Sequence, residues 1–142
     1  MHFIARCVSN WIIIRISDKN SISTQNLIFR DFKEKTIVNN ESSNIMRMMN
    51  SELNERATNP VLDLYPETSR EAIDESNNWL YHTINDGVYR CGYAKGREVY
   101  DLAIDSLTAS FDLIKKILGS QRYIAGDKFT EADIRLFVTL YR

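Results

Sequence analysis

The sequence predicts an α+β chain that is mostly α. Three observations carry that reading. The first 40 residues hold short β-branched and aromatic runs, at 11–16, 27–29 and 36–38, of the kind that fit a covered sheet. From residue 67 onward the apolar residues recur at helical spacing. Between the two halves, Pro60 and Pro66 interrupt any helix through 57–66.

The bulk numbers narrow the function class. A chain of 142 residues is one domain or parts of two. Its 44% hydrophobic and 26% charged residues are ordinary for a globular protein. A net charge of −1 provides no field for nucleic acid or anionic lipid. Two cysteines make no disulfide framework, so a reducing cytoplasm is the expected compartment. No apolar run approaches the roughly 20 residues of a membrane span. Ile12, Ile13 and Ile14 are bracketed by Arg6, Arg15 and Asp18, and no small-residue cleavage site follows. A signal peptide is therefore not expected.

The elements follow in order. Residues 11–16 read as one buried strand and 18–25 as a polar loop. Residues 27–29 and 36–38 form an antiparallel hairpin, with 30–35 turning between them. Asn39 and Asn40 make a polar turn, and a helix over 43–54 follows. Ile45, Met48 and Met49 are its packing residues, Met serving as core filler. A long helix runs over 67–88. Ile73, Leu80, Ile84 and Val88 share one face, Gly87 loosens its end and Gly92 marks the stop. A second spans 95–118, with Val99, Ala103, Leu107, Ser110, Ile114 and Ile117 spaced 4-4-3-4-3, and Gly119 as its cap. The two form an antiparallel pair. Thr130 caps a third helix, Asp133 completes a capping box, and Phe129 meets Ile134 as a staple. Ile134, Leu136, Phe137 and Leu140 begin a buried face.

The stretch of most functional interest is Thr-Ile-Val-Asn-Asn-Glu-Ser-Ser at 36–43. A strand runs into a polar turn and then a helix start. On residues alone, two readings stay open. One is a strand–turn–helix with a serine N-cap, which satisfies the orphan N–H groups of the first turn. The other is an amino acid zwitterion site. There the helix N-terminus and its dipole take a carboxylate, and Glu41 holds the ammonium group.

Resemblance favours the second. This stretch and the Met/Ile-rich helix after it resemble the glutathione-binding corner of the glutathionyl-hydroquinone reductases, the xi class of glutathione transferases. The likeness continues through Leu-Asp-Leu-Tyr-Pro at 62–66, Asn-Asp-Gly-Val-Tyr at 85–89, Gln-Arg-Tyr-Ile-Ala-Gly-Asp at 121–127 and Thr-Glu-Ala-Asp-Ile-Arg-Leu-Phe at 130–137. It spans roughly residues 31–142. It implies a partial thioredoxin-like domain over 1–56, with an unmatched leader at 1–25. A linker at 57–66 and a partial all-α glutathione-transferase C-terminal domain over 67–142 follow. It also implies glutathione as co-substrate, a glutathione conjugate as small-molecule partner, and a homodimer. Val38, Glu41, Ser42, Ser43 and Tyr89 are the implied substrate-binding residues. For Tyr89 the resemblance implies a place in an aromatic pocket, with its hydroxyl able to hydrogen-bond that of a hydroquinone.

The sequence departs from the family in three respects. A thioredoxin-like domain places a cis-proline near position 27, yet no proline occurs before Pro60. A non-proline cis bond costs about 2.5–4 kcal/mol, so a trans bond is expected there. The family's nucleophile sits in a Cys-Pro-Trp motif at a helix N-terminus, where the dipole lowers the thiol pKa. This chain has no such motif. Arg6 beside Cys7 favours a thiolate, but its flanks differ. Cys91 falls at a helix C-terminus, where the dipole disfavours one. No catalytic residue is assigned. The third departure is length. Family members open with a strand–helix–strand and close with several more helices, so this chain is expected to be the middle of such a protein. His2 and His82 lie far apart, so no metal site is expected.

The implied function is glutathione-dependent reduction of glutathionyl-hydroquinones, without turnover in this chain because the nucleophile is missing. The alternative is a non-catalytic glutathione-binding or dimerising protein. In that reading, exposed Leu136, Phe137 and Leu140 favour association.

Overall fold

The computed structural model describes residues 2–8, 11–17, 25–31, 33–54 and 57–141. The chain divides into two compact units, Met1–Leu62 and Asp63–Arg142. The first is a small sheet with one helix; the second is helical. The fold class is the α+β, mostly α arrangement that the residue patterns predict.

In the first unit four strands, β1 (His2–Val8), β2 (Trp11–Ser17), β3 (Gln25–Asp31) and β4 (Thr36–Asn39), form an antiparallel meander in the order β1-β2-β3-β4. The sequence reading placed one strand in the leader, where the structure has two. β1 and β2 pair along seven residues, from His2 opposite Ser17 to Val8 opposite Trp11. Pairing of this kind depends on a partner strand, so β1 alone carried no sufficient signal. The loop expected over 18–25 lies outside the described residues, except Gln25, which opens β3.

β3 and β4 are the predicted hairpin. Its strand runs on to Asp31, further than expected, and the turn is correspondingly tighter. Asp31 Oδ1 accepts from the N–H groups of Lys33 and Glu34, at 2.8 and 3.0 Å. An Asp side chain that bonds the backbone two residues on stabilises such turns. Lys35 completes it in the left-handed region, with φ of 54°. No cis peptide bond occurs among the described residues.

Helix α1 (Ser42–Ser51) packs on β3. It is shorter than the predicted 43–54. Among the residues of this unit whose burial is described, Phe29 and Ile45 are the buried apolar ones. Met48 is half-buried and Met49 exposed, so Met49 is not the core filler expected.

The second unit begins with a coil through Pro66 and a 3-10 turn, Glu67–Ser69, then α2 (Arg70–Leu80). The helix does not stop there. A π-helical turn, Tyr81–Asn85, carries it into α3 (Asp86–Tyr93). The Asp86 N–H bonds the Tyr81 carbonyl, five residues back. The widened turn leaves the His82 carbonyl to Arg90 Nη2, which donates to it at 2.6 Å. Gly87 and Gly92 thus lie within the helix rather than loosening or ending it. Gly87 is buried because α4 (Arg97–Ser120) passes close: a Cβ at 87 would stand 3.2 Å from Leu107 Cδ1. The turn between the helices uses Gly96, whose φ of 104° suits glycine. Gly119 also falls inside its helix, and Gln121 is the cap. Val99 is exposed, so the buried stripe of α4 is Leu107, Ser110 and Ile114.

Leu80, Ile84, Leu107, Ile114, Ile124, Ala132 and Leu136 make one core. Helix α5 (Glu131–Leu140) supplies the last two. Leu136 is therefore buried, as the expected buried face has it and against the exposure that the association reading gave it, while Phe137 and Leu140 lie open, a correction to that face. The connection before α5 is stitched down by Asp133. Its Oδ2 accepts from the Thr130 N–H at 2.9 Å, and its Oδ1 from the Ile124 N–H at 2.9 Å. The Phe129 ring packs edge-on to Tyr123, 5.8 Å between centroids.

Candidate functional site

The candidate corner is built from β4 and the start of α1. Register across β3 and β4 runs Asp31–Thr36, Arg30–Ile37 and then Phe29–Asn39. Val38 is therefore the extra residue of a β-bulge, without a partner across the ladder. A bulge bends its strand and re-aims the residues after it. Val38 is exposed, as are Asn40, Glu41 and Ser42, while Ser43 is half-buried.

Asn39 Oδ1 accepts from the Glu41 N–H at 2.8 Å, which closes the polar turn. Glu41 is extended, φ −93° and ψ 117°, and its carbonyl accepts the first helical bond, from the Ile45 N–H at 3.0 Å. Glu41 is thus the N-cap, not a serine. Its Oε1 accepts from the Ser43 hydroxyl at 3.0 Å and from the Ser43 N–H at 3.5 Å. The cap falls to Glu41 because Ser42 and Ser43 are already helical. The hydroxyl bond is the stronger of the two; the N–H bond sits at the outer limit of useful length. Among the described residues the Ser42 hydroxyl has no hydrogen-bond partner. One carboxylate, one open serine and the positive end of a helix dipole therefore stand at this corner, and together they can take both charges of a zwitterion.

Tyr89 belongs to the second unit. It projects from α3, half-exposed, with its ring stacked on that of Tyr93. Tyr93 is not among the residues implied by the resemblance, although its spacing of four from Tyr89 is legible in the sequence. A second group also escaped the sequence reading. Glu131, 1% exposed, accepts from Asn77 Nδ2 at 2.7 Å and pairs with Arg135 Nη2 at 3.3 Å. This cluster joins α2 to α5 inside the core. Its legible trace was the Glu131–Arg135 spacing of four.

Neither cysteine occupies a helix N-terminus. Cys7 is the sixth of the seven residues of β1, opposite Ile12, and its side chain lies outside the described residues. Cys91 is a free thiol in the last turn of α3, partly buried against the core. No helix of the described residues is long and apolar enough to cross a membrane.

Comparison with known proteins agrees with this architecture. Residues 97–142 match the family described as Glutathione S-transferase, C-terminal domain. The glutathionyl-hydroquinone reductase YqjG of Escherichia coli (strain K12) is 44% identical over 112 residues, which cover 79% of this chain and 34% of that protein. Its glutathione-bound structure superposes with a TM-score of 0.76 at 42% identity, covering 82% of this chain and 37% of the other. A xi class glutathione transferase from Natrialba magadii has the same TM-score at 45% identity, covering 81% and 35%. The chain thus spans about a third of the length of these relatives. Over the four fifths of its own length that they match, this chain is similar to the glutathionyl-hydroquinone reductases, the xi-class glutathione transferases.

Proposed function

We propose that this chain binds glutathione and its hydroquinone conjugates, and that it does not by itself turn them over. The observation that carries the reading is the placement of Glu41 at the N-cap of α1, beside Ser42 and Ser43, in a chain 44% identical to a glutathionyl-hydroquinone reductase. The γ-glutamyl carboxylate is taken by Ser42, with Ser43 beside it at the helix start, and its ammonium by the Glu41 carboxylate. Val38, in the bulge just before, offers backbone to the rest of the tripeptide. In the second unit, taken by itself, Tyr89 is the residue that would meet a hydroquinone ring, its hydroxyl toward a ring hydroxyl.

The reaction associated with the family name is a thiol-transferase step. A cysteine thiolate attacks the sulfur of the glutathionyl-hydroquinone. The carbon–sulfur bond breaks, the ring carbon takes a proton, and hydroquinone leaves. Glutathione then attacks the mixed disulfide and restores the thiol, giving glutathione disulfide. Such a thiolate needs a site that lowers its pKa. Neither Cys7, near the end of β1, nor Cys91, in the last turn of α3, stands at a helix N-terminus. A reducing cytoplasm suits both free thiols and glutathione as ligand.

Calorimetric titration with glutathione, followed by an assay with a glutathionyl-hydroquinone, tests this directly. Binding without turnover is expected. Turnover that Cys7→Ser abolishes would overturn the non-catalytic part, and absence of glutathione binding would overturn the whole.

A second reading has its own support. Phe137, Leu140 and Tyr141 are 61%, 51% and 80% exposed on α5, and the rings of Phe137 and Tyr141 stack on each other. An apolar face of this kind suits association, with a second copy or a longer relative. A sharp monomer peak in size-exclusion chromatography counts against it.

A further inference from the structure

Asn77 on α2, and Glu131 and Arg135 on α5, meet at one atom. Glu131 Oε1 accepts from Asn77 Nδ2 at 2.7 Å and from Arg135 Nη2 at 3.3 Å. All three residues belong to the helical unit. Asn77 and Glu131 are 6% and 1% exposed. Beside the bonded atoms stand two buried ones without a hydrogen-bond partner, Asn77 Oδ1 and Arg135 Nε. Folded proteins leave few such atoms unpaired, and each one calls for an explanation.

Covalent geometry places both orphans. Asn77 Oδ1 shares a planar amide with Nδ2. Arg135 Nε–H and the Nη2–H beside it are the two parallel donors of one edge of the guanidinium. An acceptor and a donor therefore flank the same carboxylate oxygen. Turning the amide over removes neither orphan, because it sets Oδ1 against Glu131 Oε1 and takes the carboxylate away from Nδ2. Nor does the ion pair absorb Nε. A bidentate pair would lay it on a carboxylate oxygen, yet Nε has no partner.

We infer that this cluster binds one water molecule, which accepts from Arg135 Nε–H and donates to Asn77 Oδ1. Its second proton is left for the Glu131 carboxylate, giving the three bonds usual for a buried water. The chemistry selects water over an ion. Glu131 and Arg135 offset each other's charge, so the cluster favours neither an anion nor a cation. The occupant must accept on one side and donate on the other, which water does with a single oxygen. The bridge adds a second polar tie between α2 and α5 beside the direct Asn77–Glu131 bond.

A crystal structure of the full chain, at a resolution that shows ordered water, tests this. One density peak is expected within about 3.2 Å of both Arg135 Nε and Asn77 Oδ1. In solution the same contact is expected as a rotating-frame Overhauser peak between water and Arg135 Nε–H, opposite in sign to exchange. Asn77→Leu, of similar size but without an acceptor, is expected to lose both signals, with a urea midpoint to verify that it folds. Should it not fold, the wild-type density and Overhauser peak decide alone. The inference is overturned by a wild-type structure with no such peak, by Nε bonded directly to Glu131 or Asn77, or by two waters that each reach one orphan only. It is also overturned if Asn77→Leu folds and keeps the water on Nε, since Oδ1 is then no part of the site.

Discussion

The Glu41 carboxylate lies 3.0 Å from the Ser43 hydroxyl and caps α1, so one side chain serves as the end of a helix and as the proposed partner of an ammonium group. The two roles separate by substitution. Asn is a good N-cap but carries no charge. Glu41→Asn is expected to leave stability to urea within a few tenths of a kcal/mol, while glutathione binding weakens about 5-fold, near 1 kcal/mol, the upper range for an exposed ion pair. Glu41→Ala loses the cap as well and is expected to lower stability by about 1 kcal/mol. Unchanged calorimetric affinity in Glu41→Asn would remove Glu41 from the site.

Asp133 holds two separate backbone donors, the N–H groups of Thr130 and Ile124. One bond caps α5, and the other pins a connection whose Ile124 side chain is in the core. Asp133→Ala is therefore expected to cost more than a simple cap, about 2–3 kcal/mol, because both donors lose their acceptor. Thr130→Ala should cost about 1 kcal/mol. Urea unfolding followed by far-UV circular dichroism measures both. Equal effects would mean that the Ile124 bond adds nothing.

Glu131 is the most deeply buried charged side chain among the described residues. Removing it in Glu131→Ala leaves Asn77 Nδ2 without its carboxylate and Arg135 without its ion-pair partner. Arg135 keeps 22% of its side chain exposed, so water recovers part of the loss. About 3 kcal/mol of destabilisation is expected, the lower end for breaking a buried pair. Glu131→Gln can still accept from Asn77 and is expected to cost about 1 kcal/mol. Thermal unfolding of the two variants ranks them; a Gln variant as unstable as the Ala variant would make the charge, not the hydrogen bond, the dominant part.

Gly87 admits α4 by having no side chain. A Cβ there meets Leu107 Cδ1 at 3.2 Å, and Leu107 is itself in the core. Gly87→Ala gains about 1 kcal/mol of helix propensity, which offsets a close contact needing a shift of a few tenths of an ångström. It is expected to stay within about 1 kcal/mol of wild type. Gly87→Val adds methyl groups that cannot be accommodated so easily and should cost about 2–3 kcal/mol. Denaturant midpoints of the two variants test this, and a stable Val variant would mean that the helices separate at little cost.

Features that depend on neighbours along the chain were legible in the sequence. Thr130 and Asp133 are three residues apart, and the capping box needs only that spacing. Ile73, Leu80 and Ile84 share a face because the helix period places them there, and all three are buried. Pro60 and Pro66 keep helix out of the coil between them. The corner at 36–43 was recognisable as strand, turn and helix start for the same reason. Tertiary structure alone decided the rest. β1 exists because β2 pairs with it. Leu136 is buried and Phe137 exposed because α2 covers one side of α5 and nothing described covers the other. Glu41 took the cap that the serines were expected to hold, because the chain turned helical at Ser42, one residue earlier than the pattern implied. Periodicity states which residues share a face; only the packing partner determines which face is buried.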